Sequence, residues 1–357
     1  MPPRRRNPRR PAGVASVHVL PPMSRLAVLL AVLALAGCSA PEDSAEATAA
    51  SGEPRRDLVE VPDRGEASVR ADLDLGLGTV TVGEAERGAL FQAEVVLPVD
   101  GLRADLRTET VQTESGPQAR VSLCLGGEGA SPGDLDRTRA LAWRLLFSHR
   151  TPLDLSVRMG AAEADLDLTG VPLRRLTVVC GVARTTLRLR APNPEVAADV
   201  DIKAGVSEFS AEGLGYLRAR RLTFEGGVGR FALDFRGSAP EPGAEATLRL
   251  GVGELDVTLP EGVPLVVEAP GGRLSAVEMP AGLVTLGAGR YATPGAGPDA
   301  FTVRIASGPG RVRVRLGGPL APPAPPAPPA PPPAPPPPGA PLPPPPPAPP
   351  PPPPPAR

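Results

Sequence analysis

The side chains in this chain that could do chemistry are mainly carboxylates set two residues apart. Asp72/Asp74, Asp165/Asp167, Asp199/Asp201 and Glu254/Asp256 form four such pairs. Convergent acids in a cleft could serve as general acid and base on a glycan, and a cluster of acid oxygens could hold a hard cation. On an extended chain, however, a spacing of two places both groups on one face, so each pair reads as the solvent side of a strand. Cation or glycan binding, and catalysis behind it, are the competing readings. Only two histidines exist. His18 lies in a leader and His149 beside Arg150 reads as a loop residue, so a multi-histidine metal centre is excluded. The segment Glu225-Gly-Gly-Val-Gly-Arg-Phe-Ala-Leu-Asp234 approaches the Gly-Gly-x-Gly-x-Asp pattern of calcium loops, but Phe231 stands where a carboxylate belongs. Gly76-Leu-Gly-Thr-Val-Thr-Val-Gly83 has the glycines of a phosphate loop without the Gly-Lys-Ser/Thr or the helix that must follow. No catalytic, cofactor-binding or metal-binding residue is assigned, and no small-molecule substrate is expected.

Two further groups stand out. Arg311, Arg313 and Arg315 alternate with Val312 and Val314, which lines three guanidiniums along one strand face. They could pair with an anionic envelope polymer, or they could guard an edge strand against pairing. Cys124 alternates with the inward set Val121, Leu123 and Leu125, whereas Cys180 shares the inward face of Leu176 and Val178. Opposite faces disfavour a disulfide between them.

Charge and composition narrow the function classes. Of the 38 basic residues, six are arginines in the first 37 positions, where no acid occurs. From Cys38 onward, 32 bases face 39 acids, a net of −7. That balance argues against a nucleic-acid partner. Aromatic residues are 3% of the chain, too few for base-stacking surfaces.

The elements that must position these groups repeat. Leu153-Asp-Leu-Ser-Val-Arg-Met-Gly160, Leu176-Thr-Val-Val-Cys-Gly181, Val200-Asp-Ile-Lys-Ala-Gly205, Leu222-Thr-Phe-Glu-Gly-Gly227 and Ala246-Thr-Leu-Arg-Leu-Gly251 are versions of one unit. Their final glycines are 21, 24, 22 and 24 residues apart. Apolar residues alternate on both sides of each glycine, with the phase inverted across it. Ala246, Leu248 and Leu250 give way to Leu255, Val257 and Leu259; Val200, Ile202 and Ala204 give way to Phe209 and Ala211. A one-residue slip would normally turn a strand inside out. An odd-length corner at glycine, with φ > 0 open to it, restores the inward face. The fold class is all-β, and two strands per coil of ~22 residues make a β-solenoid whose core is built by stacking. The alternative is an antiparallel β-sandwich with a hairpin at each glycine. Leu141, Trp143, Leu145 and Phe147 alternate as a further strand, with Trp143 placed to cap the stack; a short helix over 134–147 is the other reading.

The ends differ in kind. Met23-Ser-Arg25, the apolar run Leu26–Leu35 and Leu35-Ala-Gly-Cys38 have the order of a secretory signal. The run is too short for a permanent membrane span of ~20 residues. Leu-Ala-Gly-Cys resembles the lipobox of bacterial lipoproteins. That resemblance implies lipidation of Cys38 and a membrane-anchored envelope protein. Ser39 in the next position implies the outer membrane in a Gram-negative host. Residues 1–37 are thus the signal peptide, with Met23 as its start, and 38–57 are a lipidated flexible tether. Residues 58–149 form an N-terminal β sub-block, 150–317 the solenoid repeats, and 318–357 a proline-rich tail. Residues 319–357 hold 27 of the 52 prolines. As polyproline II at ~3.1 Å per residue, this tail would be a spacer or a ligand for an aromatic groove, or a by-product of GC-rich coding.

Trp143-Arg-Leu-Leu-Phe147, Pro152-Leu-Asp-Leu-Ser-Val-Arg-Met-Gly160, Asp165-Leu-Asp-Leu-Thr-Gly170 and Gly251-Val-Gly-Glu-Leu-Asp-Val-Thr-Leu-Pro260 resemble the bacterial toast-rack domain. Its repeat is shared with adhesin-type and Lia-type envelope stress-response proteins. The resemblance covers 70–316 and implies a fold and an envelope location, with no catalytic residues to carry over. Gly-Ala-Ala-Glu at 160 and Gly-Val-Ala-Arg at 181 lack the second glycine of the unit. The function expected is a non-enzymatic, lipid-anchored scaffold with an adhesin-like surface for an envelope protein or surface polymer. A stress-response sensor and a glycan-active β-helix enzyme are the alternatives.

Overall fold

The computed structural model describes residues 54–97, 102–126, 141–272 and 274–320. The signal, Cys38, most of the tether and all but the first residues of the tail lie outside this set. The described strands are, in chain order, β1 (Arg55–Pro62), β2 (Ser68–Glu84), β3 (Ala89–Leu97), β4 (Arg103–Thr113), β5 (Gly116–Gly126) and β6 (Ala142–Phe147). The long repeats follow as β7 (Leu153–Asp167), β8 (Leu173–Arg188), β9 (Asp199–Glu212), β10 (Arg221–Asp234) and β11 (Glu245–Pro260). The chain closes with β12 (Leu265–Glu268), β13 (Ser275–Glu278), β14 (Val284–Gly287), β15 (Arg290–Ala292), β16 (Phe301–Ser307) and β17 (Gly310–Gly317).

Every contact between successive repeats is parallel. β7 pairs with β8, β8 with β9, β9 with β10 and β10 with β11. The glycine corners are therefore bends within one strand, and the solenoid holds while the hairpin sandwich does not. Antiparallel pairing is confined to the two ends: β1–β3, β3–β6 and β4–β5 at one, β12–β15 and β14–β15 at the other.

The expected boundary at 149/150 is not a break in this sheet. β2 is itself a full bent repeat and pairs with β7 through both arms. Strands β5 and β6 cover the opposite side of β2. The excursion through β3, β4, β5 and β6 is an insertion between the first coil and the second, which local pattern could not reveal. At the far end, the last strands β16 and β17 slot between β11 and the earlier-formed β12 and β13.

In-register stacking turns the alternation of each strand into columns. Ala71, Leu155, Leu176, Val200, Leu222, Ala246 and Val303 form one buried column before the bend. Val82, Leu166, Leu187, Ala211, Leu233, Val257 and Val314 form another after it. Across the bend of β10, Gly226 leaves room for Phe231, whose ring carbon would lie 2.9 Å from a Cβ placed there. Phe224 packs edge-on against Phe231 at 5.4 Å and tilted against Phe209 at 5.7 Å. Leu141, Trp143, Leu145 and Phe147 are buried, with β6 as the expected strand. Trp143 donates its indole N–H to the carbonyl of Leu77 at 3.1 Å.

The return segments are tied by side chains as well. Buried Asn193 accepts from the Leu173 amide at 2.9 Å and donates to the Leu173 carbonyl at 2.7 Å. It thereby satisfies backbone groups of the preceding coil that burial would otherwise leave costly.

The corner glycines work differently from the expectation. Gly160, Gly181, Gly205, Gly227 and Gly251 do not have positive φ; that conformation falls two residues later, at Gly229 and Gly253. What the first glycines supply is absence of a side chain. A Cβ on Gly227 would lie 2.6 Å from the carbonyl oxygen of Gly205, and one on Gly205 2.6 Å from that of Gly181. Ala162, Ala183 and Ser207 occupy the second position in the coils that lack the second glycine, so only the first is required throughout. Gly227→Ala should destabilise the protein by roughly 1–3 kcal/mol, the range for forced overpacking. Gly297→Ala, where a Cβ meets nothing within 4 Å, should leave the urea midpoint unchanged. Equal midpoints for the two variants would refute the packing role.

Candidate binding surface

The outward residues of the coils also stack, and in parallel register every charge stands beside its counterpart one coil away. Like charges in that position repel, so the sequence must alternate them. Arg70, Asp154, Arg175, Asp199, Arg221 and Glu245 form one alternating column before the bend. Pairs within and beside it include Arg221–Asp199 at 2.6 Å, Arg174–Asp154 at 3.5 Å and Arg304–Glu245 at 2.9 Å. In the neighbouring column Arg249 reaches Glu225 at 2.7 Å, and Lys203 lies 3.9 Å from the same carboxylate.

This pattern accounts for most of the paired carboxylates. Asp165 binds Arg188 at 2.5 Å, Asp167 lies 3.7 Å from Arg190, and Asp72 lies 3.1 Å from Arg70. Asp201 is 3.7 Å from Lys203. The acids face outward on strands, and among the described ion pairs all but Asp74 and Glu254 lie beside a base. Among the described residues no three His, Cys, Asp or Glu side chains gather as a metal ion would require. His149 sits in the loop after β6, with Nδ1 3.0 Å from Glu84. The Glu225–Asp234 and Gly76–Gly83 segments are the bends of β10 and β2.

Arg311, Arg313 and Arg315 do share one face of β17, but that strand is a free edge only in its second half. It lies between β11 and β13 along its first half. Arg311 is 3.6 Å from Glu278, Arg313 is 3.4 Å from Glu278 and 3.6 Å from Asp256, and Arg315 is 3.8 Å from Asp256. The stripe already has its anions, and only Arg315 stands on the part of β17 beyond its pairing with β13. Cys124 and Cys180 are both free thiols, half-buried and buried. Burial pushes the Cys180 thiol up, opposed by its hydrogen bond with Thr185 at 3.5 Å, so it stays protonated and unreactive.

One surface feature escaped the sequence reading. The residue after each corner glycine points outward, and across four coils it is valine: Val182, Val206, Val228 and Val252 are 63, 57, 46 and 46% exposed. Two residues further on runs a second alternating column, Glu163, Arg184, Glu208, Arg230, Glu254 and Arg311. Between the two lies an open groove of about 550 Å³, floored by Ala162, Ala183, Ser207 and Gly229. The signal was legible as Gly-Val-Ala-Arg, Gly-Val-Ser-Glu, Gly-Val-Gly-Arg and Gly-Val-Gly-Glu at 181, 205, 227 and 251.

The pairing defines a parallel β-solenoid stabilised by glycine contacts and charge columns. Residues 50–212 match the family model described as the N-terminal domain of toast_rack, DUF2154. The matched segment spans β1 to β9 and runs across the expected 149/150 boundary. No curated protein matches the chain. Among solved structures it is similar to a candidate cell-adhesion protein of Clostridium sporogenes, at 15% identity over 74% of this chain and all of that one, with a TM-score of 0.41. A candidate adhesin of Bacteroides fragilis aligns at 10% identity over 74% of this chain and 98% of that one, TM-score 0.28. A candidate lipid-binding protein of Parabacteroides distasonis aligns at 9% identity over 75% and 95%, TM-score 0.19. Among the described residues no helix is long and apolar enough to cross a membrane.

The charge columns make stability sensitive to acid. Its hydrogen bonds with Arg304 hold the Glu245 carboxyl below the ordinary carboxylate range. A lowered folded-state pKa stabilises above the unfolded value of about 4.3 and is lost as pH falls through the folded value. Glu245→Gln should therefore lower the urea midpoint at pH 7, and the difference from the natural protein should vanish in strong acid. A difference that persists unchanged at pH 2 would contradict this account of the pair.

Proposed function

We propose that this protein is a non-catalytic binding scaffold of the cell envelope, held at a membrane by lipid on Cys38. The observation that carries the reading is how the solenoid uses its polar groups. Inward positions are filled by aliphatic and aromatic side chains, and most of the outward carboxylates are balanced by a base on their own or an adjacent coil. A glycan-cleaving site needs two acids aimed at one bond from either side, about 5–10 Å apart across a cleft. Columns of acids in salt bridges on an open face do not supply that arrangement. A flat ladder of alternating charge with one apolar strip beside it suits recognition of another macromolecule. The toast_rack match and the adhesin-type neighbours are consistent with such a role. The signal-like leader and Leu35-Ala-Gly-Cys38 support the envelope location and the anchor. The proline-rich tail then serves as a spacer.

In the native host, the full chain should incorporate an alkyne-tagged fatty acid and sediment with membranes. Cys38→Ala should lose both properties while the folded domain remains. A variant that kept its lipid label would overturn the anchor. Envelope glycans incubated with the full chain should remain uncut, with or without Asp256→Asn. Cleavage abolished by Asp256→Asn would overturn the non-catalytic reading.

A further inference from the structure

The valine strip and the charge column beside it share a symmetry that the other surfaces lack. The four exposed valines are centred between β9 and β10, midway between Val206 and Val228. The six charged residues two positions on are centred at the same point, between Glu208 and Arg230. A two-fold axis through this point, parallel to the strands, would lay each column antiparallel on its own copy. Val206 then meets Val228 of the second molecule, and Val182 meets Val252. Because the charges alternate and number six, every facing pair is opposite: Glu208 with Arg230, Arg184 with Glu254, and Glu163 with Arg311. An interface that repeats the same patch on both partners must be self-complementary in this way.

Alternation alone does not single out this face, since the Arg70–Glu245 column alternates too. Two observations separate them. The Arg70–Glu245 column has no apolar strip beside it and is closed by ion pairs of its own chain, such as Arg221–Asp199 and Arg304–Glu245. In the column beside the valines, Arg184 pairs with Glu208 at 3.2 Å and Arg311 with Glu278 at 3.6 Å, while among the described residues no ion pair closes on Glu163, Arg230 or Glu254. Charge remains available there, next to aliphatic surface left in water.

We infer that this corner ridge is a homodimer interface, in which two copies of the chain pack their valine strips antiparallel about a two-fold axis between β9 and β10. At ~4.8 Å per coil the six-membered column is about 24 Å long. Such a strip falls below the ~1,600 Å² of a standard stable complex, so the dimer is a weak one. Its small-residue floor lets the facing valines approach closely.

Sedimentation equilibrium of the full chain carrying Cys38→Ala, in density-matched detergent up to about 1 mM, tests this directly. A reversible monomer–dimer equilibrium is expected. Val206→Ser/Val228→Ser should weaken it at least tenfold without changing the urea midpoint, since both side chains are exposed. Glu208→Arg alone should give a monomer, and so should Arg230→Glu alone, because each places like charges across the axis. Mixed in equal amounts, those two variants should associate with each other, since arginines at 208 and 230 of one then face glutamates at 230 and 208 of the other. A monomeric natural sequence at 1 mM, dimerisation indifferent to the valine changes, or a mixture that stays monomeric would each overturn the proposal.

Discussion

At the bend of each coil, the carbonyl oxygen of one glycine occupies the space where a Cβ on the next coil's glycine would have to sit. The contact runs from Gly76 through Gly160, Gly181, Gly205, Gly227 and Gly251 to Gly308. It brings the backbones together at one level per coil and thereby fixes the register. Once register is fixed, alternation along a strand becomes a column through the stack, and two consequences follow. Inward columns merge into one apolar core. Outward columns would stack like charges, so the polar face has to be written as Arg, Asp, Arg, Asp and its variants.

That requirement explains why a surface rich in carboxylates has little chemistry to offer. An acid that balances the neighbouring coil is held by an arginine on a flat face, and no cleft directs it at a substrate. Individually such exposed pairs contribute little, ~0–1 kcal/mol. Their main effect is negative: a shift of the stack by one coil would set arginine beside arginine. Function then moves to what the ladder leaves over, which is the apolar ridge at the bends and the charges beside it that lack partners.

Much of this was readable from the residues. The inverted phase around Gly205 and Gly251 identified bent strands and a shared interior, because period-two alternation reports burial directly. The Leu141–Phe147 strand was legible for the same reason. The role of the glycines was only half legible: a need for glycine was plain, but φ > 0 and lack of space for a Cβ leave the same mark in a sequence. Pairing order was not legible at all. That β2 joins β7 across an insertion of four strands, and that β17 lies inside β13, depends on contacts between distant segments with no local signature. The partners of the arginine stripe were not legible for the same reason, since Asp256 and Glu278 come from two other strands. The valine ridge is visible as Gly-Val repeats, but the outward residue of a corner carries no alternation to mark its role.

Parallel, in-register stacking of the bent strands is the claim beneath all of these. Ser156, Asp201, Thr223 and Thr247 occupy one outward column, with Thr177 between the first two. With Cys38, Cys124 and Cys180 replaced by serine, spin labels can be placed at Ser156 and, in turn, at Asp201, Thr223 and Thr247. Their separation is read by continuous-wave dipolar broadening for the nearer pairs and double electron–electron resonance for the farthest. The separation should lengthen by about 4.8 Å for each coil crossed, reaching roughly 19 Å at Thr247. Distances that fail to grow in that order would contradict the stacked-coil fold.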